Sequence, residues 1–185
     1  MTNLLQHVDE SRITRHTTSL KDGEIFVFGS NLRTSPKYVA GAAQTALLFG
    51  SCDTHALGFC GSTYAIPTKN SKLRTLPVAR IQEYVTDFLD AAAAFPDRVF
   101  LVTAIGCGLA GLPPAIVAPM FRSAMPMKHV RLPREFWTEL LRPGASTKNL
   151  GIDVVASLGG PRQEQVDPCC VPVPESGPHY FHPSR

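Results

Sequence analysis

The chain has 185 residues, of which 44% are hydrophobic and 18% charged, with a net charge of +3. That suits one ordinary globular domain with extensions and is too short for two full domains. The balance excludes disordered and fibrous chains, and the eighteen scattered basic residues form no tract for nucleic acid.

The first 19 residues are polar, without a period that would bury a face, and read as an extension to which no function is assigned. Residues 24–28 (EIFVF) form a continuous apolar run ending in Gly29-Ser30-Asn31. This predicts a strand buried on both faces, hence in a parallel sheet, followed by a turn. Residues 41–49, rich in Ala and Leu and stopped by Gly50, predict a short helix.

A turn at 58–62 leads to a strand at 63–66, which Pro67 is expected to end. Between Pro77 and Pro96, Val78, Ile81, Val85, Phe88 and Leu89 recur at helical spacing, opposite mostly polar positions. Residues 99–105 predict a strong buried strand running into Gly106-Cys107-Gly108-Leu109-Ala110-Gly111. A helix is expected from Pro113–Pro114, with Pro119 bending it or delaying its start. A last strand at 129–132 and a closing helix at 133–141 complete a domain spanning 20–142. Seven of the sixteen prolines fall in residues 143–185, which predict a largely disordered tail.

Strands alternating with helices imply a three-layer α/β/α fold with a mostly parallel sheet. In such sheets ligands sit beyond the C-terminal ends of the strands. Three segments converge there: Gly29-Ser30-Asn31 extended to Gly41-Ala42-Ala43, residues 67–70 with Thr68 and Lys69, and 106–111. Glycines let backbone amides approach a phosphate, and a following helix would aim its positive end at the anion.

The 106–111 run also matches GxGxxG, a dinucleotide-binding signature. That reading, an NAD(P)-dependent oxidoreductase, wants an acidic residue at the end of the next strand. Arg131, Leu132 and Pro133 stand there instead, so Arg131 would leave only a phosphorylated-ribose variant.

The segments FVFGSN (26–31), GAA (41–43), YAIPTK (64–69), IGCGLAG (105–111), APMF (118–121) and VRLP (130–133) resemble a family of uncharacterised bacterial and phage-associated macrodomain-like proteins. More distantly, their order is similar to that of macrodomains proper. The resemblance covers about 120 residues and implies binding of ADP-ribose or a related phosphorylated nucleotide. It would place Asn31 at the distal ribose, Gly41 and Ala42 along the first loop, and Gly106, Cys107, Gly108, Leu109 and Gly111 around the diphosphate. Hydrolysis of an ADP-ribosyl linkage is the further activity it raises, with Asn31 and Cys107 as catalytic candidates.

Two departures weigh against catalysis. Residues 32–40 (LRTSPKYVA) replace a shorter glycine-rich loop, and no carboxylate lies between Asn31 and Ala46.

Several residues carry two readings. Cys107, at an expected helix N-terminus, is either an activated thiol or a small side chain that fits beneath the loop. Asn31 either contacts ligand or caps its own turn. Lys69, Arg33 and Lys37 either face a phosphate or are solvated charges. His55 and His129 could reach the site only through the fold.

Five cysteines without paired spacing point to a reducing, cytoplasmic setting. No metal or cofactor is expected, no membrane span is read, and nucleic acid is disfavoured as a partner. A different class of function remains, a non-catalytic accessory protein recruiting a protein partner through its proline-rich tail.

Overall fold

The structure, a computed structural model, describes residues 6, 8–32, 40–51 and 56–142. The readings made of the 143–185 tail, of Arg33, Lys37 and His55, and of Cys52, Cys169 and Cys170 fall outside the described residues.

Six strands form one sheet: β1 (Ile13–Thr14), β2 (Glu24–Asn31), β3 (Gly58–Cys60), β4 (Thr63–Lys69), β5 (Val99–Val102) and β6 (Val130–Pro133). Their order is β1-β6-β5-β2-β4-β3, and every pairing is parallel except β3 with β4. Four α-helices, α1 (Ala42–Leu47), α2 (Val78–Ala94), α3 (Pro114–Val117) and α4 (Arg134–Leu140), alternate with them.

The apolar run of β2 is buried along both faces, as a central parallel strand requires. Its alternating side chains separate two cores. Ile25 and Val27 face the larger core with Tyr64, Ile66, Phe100 and Val102, covered by α2, α3 and α4. Phe26 and Phe28 face the smaller one with Ala46 and Ala65, under α1. Helices on both faces give the expected three-layer arrangement.

Helix α2 follows from its sequence period: Ile81, Tyr84, Val85, Phe88, Leu89 and Ala92 are buried, while Glu83, Asp87 and Asp90 are exposed. Phe88 meets Tyr64 and Phe100 edge-on at 5.1 and 5.6 Å. Each such ring contributes about 1.5–3 kcal/mol by burial alone.

The structure differs from the sequence reading in four places. Residues read as an extension without a role add strand β1, whose Ile13 is buried. Arg12 beside it donates to the carbonyls of Met125 and Met127 at 3.1 and 3.0 Å, and its own carbonyl accepts from Trp137 Nε1 at 3.1 Å. Two residues are too few for a period to show.

Strand β4 runs through Pro67 to Lys69. Its outer neighbour β3, read as a turn, stops pairing at Ala65. By Pro67 one side of β4 has no described strand beside it, and a missing N–H is tolerated there.

Strand β5 ends at Val102, three residues early: the Thr103 amide still donates to the Val27 carbonyl at 3.0 Å, and the chain then turns, with the Ile105 amide on the Thr103 carbonyl at 2.7 Å. After one turn of α3 the chain tightens into a 3₁₀ helix over Ala118–Ala124, where Pro119 was expected to act.

Candidate functional site

Beyond the C-terminal ends of β2, β4 and β5 the chain encloses a cavity of about 420 Å³. Of the residues singled out by sequence, Gly29, Ser30, Asn31, Gly41, Ala42, Thr68, Lys69, Gly106, Gly108 and Leu109 line it. Ala43 and Ala110, inside two of the three converging segments, line it too, and Ala40, Leu73, Thr103 and Ala104 were not foreseen. Thr103 and Ala104 were hidden by the expectation that β5 ran on to residue 105.

The floor is tied together by its strands. Thr68 Oγ1 donates to the Ser30 carbonyl at 3.1 Å, and the Leu32 amide to the Lys69 carbonyl at 2.9 Å. The β2–β4 register slips between Ser30 and Asn31, which places Asn31 opposite Lys69 at the cavity. The Ser30 hydroxyl bonds the Ala56 carbonyl and so serves the scaffold.

The wall from 106 to 111 is an open loop of backbone. Gly106 has φ +73°, and a Cβ there would stand 3.3 Å from Leu112 Cδ1, so glycine is required. The loop is braced by Cys107 N–H to Ala104, Gly111 N–H to Gly108 and Leu112 N–H to Gly106, all within 3.0 Å. The N–H groups of Gly108, Leu109 and Ala110 have no acceptor among the described residues. A Cβ at Gly108 would meet nothing within 4 Å, so this stretch is open to an incoming group.

Two expectations about this loop need correcting. The following helix does not aim a dipole at the site: α3 is four residues long and starts at Pro114, after Pro113. An anion on this loop would be held by loop amides and not by the end of α3.

Cys107 and Gly111 also do not line the cavity. Cys107 packs against the larger core, and burial, with a smaller push from Glu135, raises its thiol to about 11. A thiol raised in this way stays protonated at neutral pH, the opposite of an activated nucleophile.

The other titratable candidates lie elsewhere. His129 precedes β6 at the far end of the sheet, with Nε2 2.9 Å from the Ala92 carbonyl. Arg131 is turned to Glu24 at 3.4 Å, so it is not available to a phosphorylated ribose in the cavity. Cys60 is disulfide-bonded, a pairing that the cysteine spacing did not announce. Spacing along the chain cannot show which sulfurs the fold brings together.

Lys69 is the one charged residue among the described lining, which includes no carboxylate and no histidine. The described lining therefore carries amides, the Asn31 side chain and one cation, while the hydroxyls of Ser30, Thr68 and Thr103 donate to backbone carbonyls. That chemistry suits an anionic, hydroxyl-rich ligand. No helix among the described residues is long and apolar enough to cross a membrane. Compared with protein-family models, with curated proteins and with solved structures, the chain matches none.

Proposed function

We propose that the chain binds ADP-ribose or a closely related phosphorylated nucleotide in this cavity. The observation that carries the reading is the run of three amides at Gly108, Leu109 and Ala110 with no acceptor among the described residues, in a cavity that Lys69 also lines and whose described lining holds no carboxylate. Three successive N–H groups form a concave donor set for phosphate oxygens. The cavity volume, about 420 Å³, lies in the range of small-molecule sites.

With the diphosphate on that loop, Asn31, which pairs in register with Lys69, would take the ribose, the role the family resemblance gives it. Hydrolysis of an ADP-ribosyl linkage would have to draw its base from the substrate, since the described lining holds no carboxylate or imidazole. Binding is therefore the primary reading, and turnover rests on Asn31 orienting a water.

Calorimetric titration of the full chain with ADP-ribose, ATP and NAD tests it. Micromolar affinity for ADP-ribose, about −8 kcal/mol, with weaker binding of the other two, is the expected result. Absence of heat from all three would refute the proposal.

A further inference from the structure

The chain reverses or pinches its backbone into the left-handed region at eight described positions, and seven of them are glycines. The eighth is Leu73, at φ +60°. A leucine is poorly suited to that conformation, because its Cβ crowds the neighbouring carbonyl.

Nothing in the turn demands a leucine. The turn is fixed by Asn70, whose Oδ1 accepts from the amides of Lys72 and Arg74 at 2.9 and 3.0 Å. The Asn70 amide donates to the Arg74 carbonyl at 2.8 Å, and the Leu73 amide donates to the Asn70 carbonyl at 2.9 Å. All of these bonds involve backbone or Asn70, so glycine at position 73 would keep them and relieve the strain.

Nor does the core need it. Leu76 and Leu112 nearby pack against the larger core, whereas Leu73 joins neither core and stays half-buried. What Leu73 does line is the cavity. Thr75 Oγ1 donates to the Ala110 carbonyl at 2.8 Å, which fixes this turn against the amide loop. Asn31, Lys69 and Leu73 all line the cavity, and Asn31 pairs in register with Lys69, four residues before Leu73; on the binding reading above, the Asn31 side takes the ribose.

We propose that Leu73 is a ligand-contact residue, an apolar wall against which the terminal ribose of ADP-ribose packs, and that its left-handed backbone is retained for that contact. Strain of this kind persists where a site benefits from it. The inference rests on the binding reading above and adds to it a residue that sets preference for ADP-ribose over ADP.

The test uses the full chain as wild type, Leu73→Gly and Leu73→Asn, two residues that accept positive φ. Each is titrated calorimetrically with ADP-ribose and with ADP, and each is melted without ligand. The expected result is roughly tenfold weaker ADP-ribose binding in both variants, the scale of one buried leucine side chain. ADP affinity should stay within about twofold, and melting temperatures should be equal to or above wild type.

ADP-ribose affinity unchanged in the variants would overturn the inference while leaving the binding reading intact. Equal weakening of ADP would overturn the assignment to the terminal ribose. A marked fall in both melting temperatures would make Leu73 a packing residue and overturn its role as a wall. A wild type that binds neither ligand would overturn the inference together with the reading beneath it.

Discussion

Two clefts of nearly equal size, about 420 and 400 Å³, open on this molecule, and their chemistry differs sharply. The second is lined by residues 15–19 with Glu10, Lys21, Glu24 and Arg131, and it holds more charge than the first. Yet most of that charge is spent internally: Glu24 pairs with Arg131 at 3.4 Å, and Arg15 with Glu10 at 3.2 Å, which leaves Lys21. The Glu24 carboxylate also accepts from the Lys21 amide at 2.9 Å. The first cleft has one cation and three amides with no described acceptor. What distinguishes the proposed binding site is donor capacity left unsatisfied among the described residues, not the number of charged residues around a hollow.

The strongest way to break this comparison is to fill the first cleft. Gly108→Glu puts a carboxylate among the amides, in open space and without backbone strain. ADP-ribose affinity should fall at least about a hundredfold, nearly 3 kcal/mol, with the melting temperature little changed in a thermal scan. Lys69→Met removes the one cation of the described lining and should weaken ADP-ribose by roughly tenfold at low salt and by less at high salt, measured by calorimetry.

Glu24→Gln, in the second cleft, should lower stability by about 1 kcal/mol or less, since Arg131 is partly solvated, and leave ADP-ribose affinity unchanged. Denaturant titration beside calorimetry separates the two outcomes. Affinity lost in Glu24→Gln and kept in Lys69→Met would exchange the roles of the clefts.

The smallest effect is expected at Cys107. Because burial raises its thiol to about 11 from an ordinary 9.0, the fold disfavours the thiolate. The sign follows: the thiol's contribution to stability is fully present below about pH 9 and is lost as pH rises towards 11. Cys107→Ala should therefore bind ADP-ribose within about twofold of wild type. Alkylation of Cys107 followed by mass spectrometry should be slow at pH 7.5 and accelerate only well above pH 9. Rapid modification at neutral pH would restore the nucleophile reading.

The first cleft was largely legible in the sequence because its makers announce themselves. An apolar run that stops at Gly29-Ser30-Asn31, and another that stops near Gly106, locate two strand ends, and parallel strands bring those ends together. Helix α2 was equally plain, since six inward positions share one period. Short elements without a period were not legible. Strand β1 has two residues, and β3 is a three-residue strand whose Gly58 and Cys60 read as turn.

Leu73 shows a different limit. Its role depends on a positive φ that leucine does not advertise, set by Asn70 three residues earlier, and on a loop 37 positions away. Cys107 looked reactive because the sequence showed glycines and a helix start. It did not show that the side chain turns into the core, where burial acts in the opposite direction.

The account turns on which amides receive the ligand's phosphates. Backbone ¹H–¹⁵N spectra of the full chain, recorded while ADP-ribose is added, report that directly. The account predicts the largest shifts at Gly108, Leu109 and Ala110, with smaller ones at Asn31 and Lys69 and none beyond noise at Lys21 or Arg131. Shifts confined to residues 15–21 and Arg131, with the 108–110 amides unmoved, would contradict it.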